Sequence, residues 1–516
     1  MRTTCRSIFA ALLAAWLGAG VGPALAQPSE QLTIAQGTDA VTMDPHNTTQ
    51  MTAMQPFNFL YNKLLNRDDE MQLVPELAQS WKALDDRTWE VRLREGVKFH
   101  DGTPFDGNAV KANLDRVRVK GATHVSGGFT TIEEVRVPEP HVVHIVTVKP
   151  DPLLPARLAQ WGAQIVAPSQ LAAGNEVLAA KAVGTGPYRF AEWRKDDMLV
   201  LEANPDYWGT PPKFQRVVFR PIPDEFARVS ALLAGEVDLV VNIPVDFVEQ
   251  IKSGAGTYVA ETLASATDVF IMGLDEPLKH QKVRLALNLA IDRKKLLDTL
   301  FKGYGQPVAQ GAAPTDFGYN PEIKDYPYDP ARARALLAEA GYSNGFAVDV
   351  QSSSGYILGD TLVVEAVVEM LKDIGVTATP KVLEIARRTE MLGKRAVTGL
   401  LLANPGSTLF DADGIVWRLL HPASIAGAYW PHSQEGSDFY KLMETARYTI
   451  DQDKRRELYY EAAQTLHEDP PWLYLWQEFF LYGVRCGIDF QARIDTMILP
   501  ASIAKDAVGK GGGRCN

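Results

Sequence analysis

A strand, a turn and a capped helix follow one another at 88–117, and this local order is what most constrains the fold. Trp89, Val91 and Leu93 alternate with charged residues, which is the period-two pattern of a strand with one solvated face. Asp106 then precedes an apolar stripe at helical spacing and is suited to cap that helix. The many ionisable groups of this stretch therefore indicate scaffold rather than a catalytic centre.

Short strands and helices continue to alternate along the rest of the chain. Segments 31–36, 141–150 and 216–223 have the composition of strands, rich in β-branched residues. Segments 328–342 and 361–375 are amphipathic helices with a glycine at their ends. Because 516 residues are too many for one core, the pattern predicts an α/β protein of two or three domains whose sheets are wrapped by helices.

The first 26 residues have the three parts of an export signal. Arg2 and Arg6 supply positive charge, the run 8–21 is apolar, and an Ala-Leu-Ala stretch ends just before Gln27. The apolar run is about 14 residues long, short of the roughly 20 needed to span a bilayer. We therefore expect residues 1–26 to be a cleavable signal peptide and the mature protein to be exported and soluble.

The charge balance excludes several classes of partner. The formal net charge is −11, from 63 acidic and 52 basic residues. Nucleic acid phosphates and anionic membrane surfaces repel such a chain. We therefore expect no nucleic-acid partner and no anionic membrane surface as a target.

The mature sequence keeps two cysteines, Cys486 and Cys515. An oxidising compartment permits a disulfide between them, which in the chain-entropy model would contribute about 3–4 kcal/mol. The alternative is a buried Cys486 and a free Cys515 on the glycine-rich tail. Because no C-x-x-C motif is present, thiol redox chemistry and a structural zinc site have no support.

No catalytic or metal-binding motif stands out. His100 beside Asp101 has the composition of a general-base pair, but the pattern includes no serine or cysteine nucleophile. The DADG stretch at 411–414 resembles the start of a calcium loop, whose twelfth position must be a bidentate glutamate and here is Pro422. We expect no cofactor and no metal, and an exported hydrolase that uses His100 and Asp101 stays open as an alternative.

Aromatic residues crowd the last hundred positions: Trp417, Tyr429, Trp430, Trp472, Tyr474 and Trp476. Most of them are expected to pack in a core. Some are candidates to line an apolar cleft that holds a small ligand with a few fixed polar groups.

Four long, separated stretches resemble one family. They are 74–116, 183–209, 282–308 and 328–346, and they occur in the order that the family shows. The resemblance is to the bacterial extracellular solute-binding proteins of the peptide, oligopeptide and nickel class, the periplasmic components of ABC importers. Because four motifs agree over most of the mature chain, the chain is identified as a member of this class.

The resemblance implies a bilobed α/β receptor that hinges shut on its ligand, with an additional inserted α/β domain. Lobe I would comprise 27–62, 184–285 and 480–516. The inserted domain would comprise 63–183, with His100 and Asp101 as a turn element, and lobe II would comprise 286–479. The protein would be a periplasmic monomer, not an enzyme, which delivers a peptide or peptide-like solute to the transmembrane subunits of an ABC permease.

The resemblance also directs attention to particular ligand-binding residues. In the dipeptide-binding members an aspartate meets the free amine of the peptide, and Asp411 best matches that aspartate. Those members hold the peptide carboxylate with an arginine that is absent from 356–360, so Arg387 or Arg388 is a candidate replacement, although both are equally compatible with a surface position. The residues assigned to the ligand site are Asp411, Trp417, Trp430, Tyr356, Arg387 and His46.

Other cargoes remain open at this stage. The missing arginine favours a nickel chelate, haem, an opine or a sugar over a peptide with a free carboxylate. A chemotaxis or quorum receptor would use the same fold and differ only in its partner.

Overall fold

A computed structural model describes residues 30–353, 357–422, 429–505 and 515. The signal segment 1–26, Tyr356 and the glycine-rich tail lie outside the described residues. In the described part of the chain, short strands and helices alternate as the sequence predicts.

The strands, numbered in chain order, vary from two to sixteen residues. They are β1 Gln31–Gln36, β2 Leu65–Arg67, β3 Leu73–Pro75, β4 Ala78–Ala83, β5 Thr88–Leu93, β6 Ile132–Glu139, β7 Val142–Thr147, β8 Tyr188–Arg194, β9 Met198–Ala203, β10 Arg216–Pro221, β11 Leu239–Val241, β12 Thr257–Met272, β13 Gln306–Pro307, β14 Ala347–Ser352, β15 Thr377–Val382, β16 Leu400–Ala403, β17 Trp472–Arg485, β18 Ile488–Phe490 and β19 Ile503–Lys505.

The helices are mostly short, and the longest covers 17 residues. They are α1 Met51–Leu60, α2 Gly107–Val117, α3 Leu154–Arg157, α4 Pro168–Ala173, α5 Asn175–Ala180, α6 Glu225–Leu233, α7 Val248–Ser253, α8 Gln281–Leu289, α9 Arg293–Phe301, α10 Pro330–Glu339, α11 Asp360–Lys372, α12 Ile385–Gly393, α13 Asp413–Leu420, α14 Asp438–Tyr448 and α15 Gln452–Glu468.

One large mixed sheet extends through both lobes. Its strands lie in the order β15-β14-β16-β12-β17-β11-β1-β10-β9-β8, with β13 pairing to β17 beside this path. The central pair, β12 and β17, runs antiparallel over most of its length. In the expected division of the chain, the strands on the β11 side fall in lobe I and those on the β16 side in lobe II. The two longest strands of the sheet therefore join the lobes.

The stretch 88–117 has the predicted structure. It forms strand β5, a turn and helix α2, whose N-terminus is capped by the Asp106 carboxylate through the backbone N–H groups of Asn108 and Ala109. Strand β5 is central in a separate four-stranded sheet of order β4-β5-β7-β6. This small sheet lies within 63–183, the segment expected to be the inserted domain.

Three large hydrophobic cores are present among the described residues. One surrounds β14, β16 and helices α8 to α11, and it extends into the expected lobe I, where it includes Ala35 and Val229. A second surrounds β1, β9 and β10. The third packs helix α2 on the small sheet. Trp472, Tyr474 and Trp476 on β17 belong to the first core, as expected for most of the C-terminal aromatics.

Cys486, just beyond β17, is joined to Cys515 by a disulfide across a separation of 29 residues. Their Cα atoms lie 6.1 Å apart. Both cysteines pack against the core of lobe I. The bridge therefore fixes one point of the C-terminal tail to the lobe.

Candidate functional site

The lobes meet where β12 departs from regular pairing with β17. The register shifts between Leu263 and Thr267, so that residues 264–266 bulge out of the ladder. This bulge contacts the lobe II loop that follows β16: Thr267 N–H donates to Pro405 O over 3.0 Å, and Ser265 Oγ donates to Ser407 O over 3.2 Å. The bulge and this loop form one side of the junction.

Lobe I contributes its C-terminal segment to the same place. The Ser265 N–H donates to the carbonyl of Ile494 over 3.3 Å. One residue earlier, the buried Arg493 guanidinium binds Asp495, Asp69 and the carbonyls of Arg67 and Asp68. The junction is therefore assembled from four segments that are distant in sequence, which is the arrangement of a cleft between hinged lobes.

Two carboxyl groups lie on the crossing strands at this junction. Asp268 on β12 is 4% exposed, and its Oδ2 accepts a hydrogen bond of 2.9 Å from the indole of Trp476. Glu478 on β17 is hydrogen-bonded by the side chain of Asn404. Burial and the neighbouring Glu478 raise the pKa of Asp268, and burial raises the pKa of Glu478 to about 7. Neither residue was predicted from the sequence, because each lies between uncharged neighbours in its strand and belongs to no motif.

Asp411 is already paired within lobe II. Both of its carboxylate oxygens accept 2.7 Å hydrogen bonds from the guanidinium of Arg455 on α15, and both residues are buried. The same guanidinium lies over the ring of Phe317 at 4.8 Å. A buried carboxylate needs a cation, and here the chain itself supplies it. The structure therefore gives no support to Asp411 as the free anchor for a solute amine.

Trp417 belongs to a neighbouring buried ion-pair cluster. Its indole donates to Glu444 over 3.2 Å, and the guanidinium of Arg447 lies 3.7 Å from its ring centre. Arg447 in turn binds the buried carboxylate of Asp413. Burial raises the pKa of Asp413, although Arg447 opposes the shift. Trp417 is half-buried and serves first as packing for this pair.

The structure does not gather the other assigned residues into one site. Trp430 is 1% exposed and packs edge-on against Phe439 on α14, within lobe II. Arg387 is exposed on α12 and pairs with Glu390, as a surface residue does. These two positions do not fit direct ligand contact, because one is enclosed in the core and the other is on an outer helix. Tyr356, which was also assigned to the ligand site, lies outside the described residues.

His46 has a structural position between lobe I and the inserted domain. Its Nε2 donates to the Gln164 carbonyl over 2.9 Å, while its Nδ1 accepts from Arg116 over 2.9 Å. Arg116 also forms a bidentate pair with the buried carboxylate of Asp44. Burial lowers the pKa of His46 to about 4. Both ring nitrogens are occupied by the protein, so the structure does not place His46 as a ligand contact.

His100 is a turn element, as expected, and does not form an acid–base pair with Asp101. Its ring accepts from the N–H of Gly184 and donates to the carbonyl of Gly186, over 3.2 and 3.0 Å. The carboxylate of Asp101 accepts from Thr103 and Ser169 instead. Two of the sequence motifs thus meet here, since the turn after β5 docks on the Gly-rich loop before β8. These hydrogen bonds therefore give no support to the alternative of an exported hydrolase that uses His100 and Asp101.

Arg67 is a third residue that was not predicted from the sequence. It is the last residue of the short strand β2, in the expected inserted domain, and its Nη2 donates to the Leu409 carbonyl of the expected lobe II over 2.5 Å. The guanidinium also lies 4.8 Å from the ring centre of Phe410. Burial lowers the pKa of Arg67 to about 10. Near Arg67, burial raises the pKa of Asp316 to about 8, and the positive charge of Arg67 opposes this shift.

Apolar contact accompanies this polar link. Leu153 and Ala156 of the inserted domain are buried against Leu409 of lobe II, and Leu73 packs on the same cluster. The segment expected to be the inserted domain is therefore in contact with Leu409 of the expected lobe II.

Two further observations concern the described residues only. No three His, Cys, Asp or Glu side chains among them converge as a metal site would require. No helix in that part of the chain has the length and apolar character to cross a bilayer.

Comparison with known proteins gives a consistent result. The family model for bacterial extracellular solute-binding proteins, family 5 middle region, matches residues 72–427. The chain is 30% identical over 483 residues to the glutathione-binding protein GsiB of Pectobacterium atrosepticum, covering 89% of this chain and 92% of that protein. Among solved structures, HbpA2 of Haemophilus parasuis matches with a TM-score of 0.81 at 22% identity, over 92% of this chain and 100% of that one. DppA of Helicobacter pylori in complex with the peptide STSA matches with a TM-score of 0.77 at 23% identity, covering 92% and 98%.

Proposed function

The chain belongs to the bacterial extracellular solute-binding proteins of family 5, and on this premise we propose that it delivers a peptide or peptide-like solute to an ABC permease. The solute would bind between the two lobes and leave chemically unchanged. The observation that carries the proposal is the match of the family model to 72–427 on a chain whose lobes are joined by two crossing strands.

The class of solute is supported by the similar proteins and by the junction. The relatives include a glutathione-binding protein and a receptor in complex with a peptide. The junction presents ionisable groups of both signs, the half-buried Arg67 from the inserted domain and the buried Asp268 with the half-buried Glu478 from the crossing strands. A peptide carries both an amine and a carboxylate, so it offers a partner to each sign.

The proposal also includes where the protein acts and how its chain is divided into domains. Residues 1–26 would be removed on export, and the mature chain would act in the periplasm as a monomer that docks on the transmembrane subunits of the permease. Lobe I would comprise 27–62, 184–285 and 480–516, the inserted domain 63–183, and lobe II 286–479. The protein would act by closing its two lobes. A solute that binds the closed form more tightly than the open form shifts the population of molecules toward the closed form.

Titration calorimetry of the purified mature protein tests the proposal. The panel comprises glutathione, alanyl dipeptides and tetrapeptides, with a nickel–histidine chelate, haem and a simple sugar as competing classes. We expect saturable binding of at least one peptide with an affinity near micromolar, about −8 kcal/mol. Mass spectrometry of the released peptide should show an intact molecule. Binding confined to the chelate, haem or the sugar would contradict the peptide assignment, and a cleaved peptide would contradict the transport role.

A further inference from the structure

Asp268 and Glu478 occupy a position that the lobes share. Asp268 lies directly beside the second register shift of β12, and Glu478 stands opposite the bulge at 264–266. The bulge contacts the loop 405–407 of lobe II and Ile494 of lobe I. A group bound here would touch both lobes at once.

The surroundings of Asp268 leave one of its oxygens without a partner. Trp476 donates to Oδ2, whereas Oδ1 is buried and receives no hydrogen bond from the described residues. The neighbouring cross-strand pair adds a second such acceptor, because Gln477 Oε1 is also buried without a partner among the described residues. Buried acceptors are normally satisfied, so the crossing has a surplus of two acceptors, Asp268 Oδ1 and Gln477 Oε1.

The crossing also lacks a cation beside its carboxyl groups. Three other buried aspartates are paired with arginines in the fold: Asp411 with Arg455, Asp413 with Arg447, and Asp151 with Arg157. Within the described ranges, the charged group that acts on Asp268 is Glu478, and the polar side chains bonded to the pair are those of Trp476 and Asn404. Two adjacent carboxyl groups, one buried and one half-buried, are unfavourable as a doubly charged pair without a cation.

We propose that Asp268 and Glu478 form the subsite that receives a cationic group of the solute, an ammonium or a guanidinium. This inference rests on the proposed function and assigns the amine-binding role to the crossing strands instead of to Asp411. An ammonium supplies three donors and one positive charge, which meets both the surplus of acceptors and the missing cation. Because the residues lie on the strands that join the lobes, occupation of the subsite links recognition of the amine to closure.

The experiment compares each peptide with its N-acetylated form by calorimetry. The probes are glutathione and an alanyl dipeptide, and the proteins are the wild type, Asp268→Asn, Glu478→Gln and the control Glu261→Gln. Glu261 is exposed on the same strand β12, so its substitution changes one charge away from the junction. Circular dichroism and thermal melting verify that each variant is folded.

The wild type should bind the free-amine form at least about 30-fold more tightly than the acetylated form, as expected for loss of a buried charge partner. Asp268→Asn and Glu478→Gln should weaken the free-amine form by a similar factor and change the acetylated form by less than about threefold. Glu261→Gln should change neither.

Equal binding of the two forms by the wild type, or unchanged binding of the free amine by both junction variants, would overturn the inference while the proposed function stands. The comparison on the wild type needs no variant, so a folding failure of Asp268→Asn or Glu478→Gln does not remove the test. Absence of binding to every amine-bearing and acetylated peptide would overturn the inference together with the proposed function.

Discussion

The Nη2 of Arg67 donates to the Leu409 carbonyl across the junction between the inserted domain and lobe II, over 2.5 Å and 342 residues of sequence. The guanidinium is half-buried and lies over the ring of Phe410. In the expected division of the chain, the two sides of this contact belong to different bodies of the receptor. We therefore expect Arg67 to stabilise the closed form.

Replacing Arg67 with methionine should weaken solute binding. The variant keeps most of the stem but loses the hydrogen bonds to Leu409 and Met71, so the closed state is destabilised by about 1–2 kcal/mol relative to the open state. Calorimetry should show an affinity loss of roughly tenfold. Arg87→Met is a suitable control, since Arg87 lies in the same domain and pairs with Glu133 on its surface. If Arg67→Met bound peptide as the wild type does, Arg67 would have no part in closure.

The pair of Asp411 and Arg455 should behave as a structural unit. Arg455→Met leaves a buried carboxylate without its cation, which should lower the free energy of unfolding by about 3–5 kcal/mol in a urea titration. The double variant Asp411→Asn with Arg455→Met should recover part of this loss, because no uncompensated charge remains. A fully stable Arg455→Met protein, together with selective loss of amine binding in Asp411→Asn, would return Asp411 to the ligand site.

Glu478 should make the solute-free protein less stable as the pH rises. Burial raises its pKa from the ordinary 4.5 to about 7, so between these values the folded chain binds more protons than the unfolded chain. The contribution of Glu478 to the free energy of unfolding is therefore largest below about pH 4.5 and is lost as the pH approaches 7. Glu478→Gln should remove this slope, as measured by urea titrations at several pH values, whereas Glu261→Gln should keep it. Parallel pH profiles for wild type and Glu478→Gln would contradict the buried position of this carboxyl.

His46 should have the opposite effect over an overlapping range. Burial lowers its pKa from 6.5 to about 4, so the unfolded chain takes up a proton that the folded chain refuses. Stability should fall as the pH drops through this window, by roughly 3 kcal/mol at its lower end. The difference between wild type and His46→Gln in urea titrations isolates this contribution, with His124→Gln, an exposed histidine, as the control. A difference that does not change with pH would show that His46 is accessible to protonation in the folded state.

The positions of several strands, helices and helix caps were predictable from the sequence, because residue spacing and capping residues determine them. The strand and helix at 88–117, with Asp106 as the cap, follow from spacing and capping alone. The segment 328–342, predicted as a helix, contains α10, which Asp329 caps and which has Pro330 in its first turn. The family motifs also had a physical basis, since His100 docks on the loop of Gly184 and Gly186.

The candidate site was harder to predict because tertiary pairing determines it. Asp411 matches a family position, but its partner Arg455 lies 44 residues away on another helix, and nothing local indicates that they meet. Asp268 and Glu478 are single acidic residues within apolar strands, and their proximity follows only from the register of β12 against β17. Arg67 gave no signal, since an arginine at the end of a short strand is ordinarily a surface residue.

The most direct test of the central claim is small-angle X-ray scattering of the mature protein with and without a bound short peptide. The account predicts a smaller radius of gyration when the peptide is bound, and recovery of the same peptide intact after denaturation. A peptide that binds saturably in calorimetry yet leaves the scattering profile unchanged, or that is recovered as fragments, would contradict closure of two lobes on an unaltered solute.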